Sequence, residues 1–151
     1  MSIQIQLQNI DRIIEAYKKY PLQSKIALTE AIQKGATLVQ RNARIEAPVG
    51  VSGLLRSQIN ISYGELRGTI SANSQYALFV EEGTKPHWVP IAALQPWADL
   101  KGIPVYALQK SIAKVGTKAQ PFMEKAAQQS TEQIQVYFNE AVATVLNEMI
   151  V

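Results

Sequence analysis

Few residues in this chain of 151 belong to the types that catalysis or metal binding requires. There is one histidine, His87, and no cysteine. A histidine cluster, a thiolate metal site, a disulfide and a cysteine nucleophile are therefore all excluded. Any nucleophilic triad built on a histidine must use His87, which sits between Pro86 and Pro90 and beside Trp88. A histidine in such a loop reads as a structural or interface contact, with catalysis as the alternative. Glu81 and Glu82 are adjacent, so on a helix they point about 100° apart and do not face each other as an acid–base pair. Gly50, Gly53 and Gly64 match neither the phosphate-loop nor the dinucleotide fingerprint. Gly-Thr-Lys occurs twice, at 83–85 and 116–118, each time after a helical pattern. Both read as helix C-terminal caps, which present carbonyls rather than the amides that hold phosphate. The expectation is a non-enzyme with no catalytic residue, no cofactor and no metal.

The elements that would position these residues follow from periodicity. Residues 2–7 alternate strictly, with Ile3, Ile5 and Leu7 on one face, and predict a short strand. Asn9 is the expected cap of a short helix to about Lys19. Pro21 then suits the first turn of a long helix over about 22–46. Its apolar face carries Leu28, Ala31, Ile32, Gly35, Leu38, Val39, Asn42 and Ile45, and Gly35 there predicts close approach of another backbone. Residues 55–63 and 66–72 predict a hairpin turning at Gly64-Glu65. Residues 74–82 predict a short helix stopped by Gly83, with Glu81 and Glu82 at the unfavourable end of its dipole. Three prolines and both tryptophans, Trp88 and Trp97, fill a loop with a kinked helix over 84–103. Pro104 opens another short helix, closed by Gly116. Pro121 opens a second long helix over about 121–149, with Met123, Ala126, Ala127, Ser130, Ile134, Tyr137, Phe138, Ala141, Val142, Val145 and Met149 on its apolar face.

The fold class expected is α+β. A small, mostly antiparallel sheet (the strand near 2–7 plus the hairpin 55–72) is packed by the two long helices, with short helices between. Residues 1–151 are expected to form a single domain. An apolar fraction of 47% with 18% charged residues excludes a disordered chain. No apolar run approaches the roughly 20 residues of a membrane span, and the N-terminus lacks the basic start and apolar block of a signal peptide. Charge is segregated. The net formal charge is +3 overall, but residues 121–151 hold one lysine against four glutamates. The pI of about 9.2 hints at a polyanion. The acidic end beside a basic body suggests that opposite charges orient copies of the chain against one another or against a partner.

Three segments, in order, carry a resemblance. Ala47-Pro48-Val49, Ser52-Gly53, Leu55-Arg56-Ser57 and Ile59 resemble an Ala-Pro-Val-Asp-Thr-Gly-x-Leu-Arg-x-Ser-Ile signature. Tyr76-Ala77, Phe79-Val80-Glu81 and Gly83-Thr84 resemble Tyr-Ala-x-Phe-Val-Glu-x-Gly-Thr. Gly116-Thr117, Ala119-Gln120-Pro121-Phe122 and Ala126 resemble a Gln-Pro-Phe-x-x-x-Ala helix start. The family so marked is that of the head-to-tail joining, or tail-completion, proteins of long-tailed bacteriophages, also called minor tail or neck proteins. Gly50-Val51 stands where that family has one acidic residue, and Glu82 where an aromatic or apolar residue is expected. The stretch from Pro86 to Val115 is longer than in the shortest members.

The resemblance implies a structural virion protein between the head connector and the tail tube. It implies a ring of copies, commonly six, around genomic DNA that passes without sequence-specific contact. It places the protein in the neck or tail of the virion, assembled in the host cytoplasm, with no membrane partner. It singles out Gly53, Leu55, Arg56, Tyr76, Glu81, Gly83, Pro121 and Phe122 as structural motif residues. Arg56 reads either as a bidentate partner of Glu81 or as a solvent-exposed side chain. Tyr76, Phe79 and Phe122 read as core. Lys85, His87, Trp88 and Trp97, in an insertion at about 84–119, are the candidate partner interface, with core burial of Trp88 an equal alternative. The alternative function is a small basic nucleic-acid-binding protein, using Lys25, Lys34, Arg41 and Arg44 of the first long helix.

Overall fold

Proline disfavours continuation of a helix that precedes it, since it lacks the N–H and crowds the previous turn, but its fixed φ suits the first turn of one that follows. In the computed structural model, which describes residues 4–8 and 10–148, Pro21 does both. Helix α1 (Asp11–Lys19) stops before it and α2 (Pro21–Glu46) starts on it. Asn9, the expected cap of α1, lies outside the described residues. Ile10 holds the cap position and makes no side-chain cap bond. There follow α3 (Leu54–Ser57), β1 (Ile59–Gly64), β2 (Arg67–Ala72), α4 (Ala77–Glu82), α5 (Ile91–Lys101), α6 (Val105–Val115) and α7 (Phe122–Glu148). Helices α2 and α7 pack along each other, and the antiparallel β1–β2 hairpin lies against α2. The α+β class is the one expected.

The α2–α7 seam is built from small residues. A Cβ on Gly35 would stand 3.2 Å from the Ile134 side chain, so the glycine lets α7 come in close. Asn42 Nδ2 donates to Ser130 Oγ at 2.9 Å, and Ser130 Oγ donates to the Ala126 carbonyl at 2.6 Å. This satisfied polar link crosses the seam at a single register. Leu28, Ala31 and Val39 are buried as expected, but Ile45 is 63% exposed. The buried face at this end of α2 runs through Ala36, Val39, Ala43 and on to Ala47. Ile45 lies two residues, about 200°, round from Ala43. On α7 the stripe from Met123 to Val145 faces inward, while Met149 lies outside the described residues.

Two strand expectations are corrected. Residues 2–7 were expected to pair in the sheet. Ser2 and Ile3 lie outside the described residues, and residues 4–7 form no ladder. Ile5 and Leu7 do pack on the core from one side. The backbone, however, is tied to a side chain: Gln8 N–H donates to Gln135 Oε1 at 2.9 Å, and Gln135 Nε2 donates back to Gln8 O at 3.3 Å. The hairpin also starts later and turns elsewhere than expected. Residues 54–57 are helical, and Gly64 pairs with Arg67, so the turn is Glu65-Leu66, with Leu66 at φ +49°. Packing decides the register. A Cβ on Gly68 would meet Ala36 at 3.1 Å and Ile32 at 3.2 Å, so Gly68 is where β2 closes on α2. The observed pairing sets Tyr63 opposite Gly68 and Ile61 opposite Ile70. Lys25 Nζ, 2.6 Å from Glu65 Oε1, links the turn to α2. That hydrogen bond raises the lysine pKa and lowers that of the glutamate.

Candidate functional site

The motif residues gather at helix ends. Gly53, at φ +64°, turns the chain into α3, where Leu55 is buried and Arg56 half-buried. Arg56 Nε donates to Ala47 O at 2.8 Å and Nη2 to Ile45 O at 3.3 Å. Those carbonyls lie at and just beyond the C-terminus of α2, the negative end of its dipole, where a cation is stabilising. Neither alternative for Arg56 holds: it does not pair with Glu81, and it is half-buried and bonded to backbone rather than solvent-exposed. Glu81 accepts from the amides of Met123 (3.0 Å, Oε2) and Glu124 (3.1 Å, Oε1), the second and third residues of α7. It caps a helix 42 residues downstream of itself.

Two local deficits explain this arrangement. A carboxylate is unfavourable at the C-terminal end of its own α4, and the Gln120-Pro121 entry to α7 brings no Ser, Thr or Asp to cap it. Each removes the other. A second bond, Gln120 N–H to Val80 O at 2.8 Å, fixes the junction. Because Arg56 and Glu81 serve different helices and share no partner, Arg56→Ala and Glu81→Ala should each cost about 1–2 kcal/mol and add in the double variant. Urea unfolding of the four proteins measures this. A coupling above about 0.5 kcal/mol would mean that the two side chains act as a unit.

The two Gly-Thr-Lys segments meet. Thr84 N–H donates to Thr117 O at 3.1 Å, Thr117 N–H to Thr84 O at 3.2 Å, and the two threonine Oγ1 atoms lie 2.9 Å apart. Gly83 (φ +74°, ψ −178°) and Gly116 (φ +77°, ψ −159°) end α4 and α6 in a region of backbone space open essentially to glycine alone. A Cβ on Gly83 would come within 2.5 Å of Thr117 O, and one on Gly116 would collide with Thr84 O. The clasp closes the base of the α5–α6 hairpin. The hairpin is held further by Gln109 Nε2 donating to Val89 O at 2.8 Å and by His87 N–H donating to Ile112 O at 3.4 Å.

The candidate interface residues lie on this hairpin and its approach. Lys85 and His87 are exposed, and His87 Nδ1–H donates to Lys85 O at 2.8 Å. Trp88 is 71% exposed, so its core alternative is excluded, whereas Trp97 on α5 is half-buried. Of the aromatics expected in the core, Phe122 is there, but Tyr76 and Phe79 are 41% and 57% exposed. Phe79, Val80, Val89, Leu94 and Ile112 line an open, mainly apolar groove of about 620 Å³ between α4 and the α5–α6 hairpin. Sequence reading missed this groove because Phe79 follows the helical pattern of a buried position. The signal available was the pair of Gly-Thr-Lys segments, whose lysines, Lys85 and Lys118, line it. Among the described residues, no three His, Asp or Glu side chains gather to hold a metal ion. No described helix is long and apolar enough to cross a membrane.

The four cations proposed for nucleic acid do not form one surface. Lys25 pairs with Glu65, and Arg44 donates to Ile59 O at 2.9 Å. Lys34 and Arg41 share a shallow groove with Tyr137, about half a turn around α2 from Lys25.

The fold and site together describe a helix-paired α+β scaffold, capped at its joints by motif side chains and carrying an exposed aromatic groove. Residues 10–83, just under half of the chain, match the family model described as Bacteriophage HK97-gp10, putative tail-component. The match spans α1 to α4 and so includes Arg56 and Glu81, but it stops short of α5, α6 and α7. No curated protein and no solved structure gives a significant match to the chain.

Proposed function

We propose that the chain is a structural virion protein of a tailed bacteriophage that joins the head connector to the tail tube. The observation that carries this reading is the match of residues 10–83 to a phage tail-component family. It covers the segments in which Arg56 and Glu81 cap the two long helices. Copies of the chain, six in the expected ring, surround the DNA channel in the neck, and the genome passes without sequence-specific contact. The ring is assembled in the host cytoplasm, and its outer faces meet the connector on one side and the tube on the other. The open apolar groove lined by Phe79 supports a protein that buries surface against others, since such a groove is the kind of surface a partner covers.

Deleting the gene from its source phage or prophage and imaging the lysate tests the reading. DNA-filled heads beside complete, separate tails are expected, and purified protein added to that lysate should restore virions. Normal infectious particles would overturn it.

A further inference from the structure

The groove between α4 and the α5–α6 hairpin has a basic surround. Lys85 and Lys118 line its edge, and both are exposed. Residues 84–118 carry five lysines against a single acid, Asp99. The opposite charge lies elsewhere on the same molecule. From Ala126 to Glu148 there are three glutamates and no lysine or arginine. Glu132, Val136 and Glu140 are all exposed and recur at intervals of four, so they form one stripe on the outer face of α7. An exposed valine flanked by two carboxylates on a helix is the complement of an apolar groove edged by lysines.

The stripe does not reach the groove of its own molecule. Thr117, Lys118 and Gln120, which line the groove, lead straight into α7. Val136 stands 14 residues beyond Phe122, about 21 Å along the helix axis. We propose that the groove docks the Glu132–Val136–Glu140 face of α7 from a second copy of this chain. Groove and stripe are different surfaces, so the contact is head-to-tail, and a joined pair keeps one free groove and one free stripe for the next copies. This deepens the ring reading above and rests on its premise that copies of the chain meet one another.

The test uses the full chain with Phe79 replaced by a photoreactive benzophenone amino acid. At about 50 mM salt and up to about 1 mM protein, irradiation should give covalent multimers whose linked peptide contains residues 132–140 of another copy. Raising the salt to about 500 mM should cut the yield roughly tenfold, as charge screening predicts. Lys85→Glu with Lys118→Glu, or Glu132→Lys with Glu140→Lys, should each abolish self-linking. Mixing the two charge-reversed proteins should restore it, because each then offers what the other lacks. All four positions are exposed, and circular dichroism checks that the helices persist; Glu132→Gln with Glu140→Gln is the gentler variant if a reversal misfolds. Monomers only, links to another surface or within one chain, or multimers indifferent to both reversals would each overturn the proposal. Failure here with separated heads and tails in the deletion lysate would remove the docking mode and leave the joining role. Cross-linking with normal particles would do the reverse.

Discussion

Gly116→Ala is expected to destabilise the protein by about 3 kcal/mol or more, lowering Tm by roughly 6–12 °C. The glycine backbone lies at φ +77° and ψ −159°, and an added Cβ would run into the Thr84 carbonyl, itself bonded to Thr117 N–H. Neither backbone atom can move aside as the end of a flexible side chain would. Gly102→Ala is the internal control. Gly102 also has positive φ, at +65°, but nothing stands within 4 Å of the position its Cβ would take. That substitution should cost only about 1 kcal/mol, the left-handed penalty alone. Chemical denaturation of both variants separates collision from dihedral strain, and equal losses would show that the clasp tolerates the extra atom. Hydrogen exchange should show amides of α5 and α6 losing protection first in Gly116→Ala, since the clasp closes their base.

Phe122→Ala should cost about 3–5 kcal/mol, the range for deleting a large aromatic from a packed core. The side chain is 1% exposed and is the largest of the fully buried ones. It belongs to the cluster that also holds Leu55, Ile59, Ala77 and Met123, so it joins α7 to α3, the hairpin and α4. It also immediately precedes the two residues whose amides Glu81 accepts, and its removal frees the helix start that the carboxylate caps. Urea unfolding followed by circular dichroism gives the cost. A value below about 2 kcal/mol would mean that the surrounding helices collapse into the space and that the junction is held by the cap alone.

The long helices were legible because each repeats its apolar residues over many turns, and because Pro21 and Pro121 mark their starts. The helix endings at Gly83 and Gly116 were legible for a local reason too, since helices commonly stop on a residue that takes positive φ. What the sequence did not disclose is which distant partners meet. Glu81 looked misplaced at the end of α4, and the start of α7 was marked by Pro121 alone. Only the folded chain sets one against the other, across 42 residues. The two Gly-Thr-Lys segments read as separate caps, and nothing local says that they pair. The hairpin turn moved from Gly64-Glu65 to Glu65-Leu66 because Gly68 has to face Ala36 and Ile32 on α2, a demand absent from turn propensity. Phe79 and Tyr76 sat on helical spacing and were read as core, yet they face the groove.

The Thr84–Thr117 clasp has a consequence for how such a chain can change. The path leaves the body and re-enters it at adjacent backbone positions, so the 32 residues in between form a handle whose two feet share one hydrogen-bonded step. Provided Gly116 is kept at its foot, lengthening, shortening or exchanging that handle leaves the spacing between α4 and α7 untouched. The entropy of closing a loop changes only slowly with its length. The segment that carries the exposed Trp88 and most of the lysines of this half of the chain is thus free to diversify toward new neighbours, while Arg56 and Glu81 go on fastening the two long helices as before.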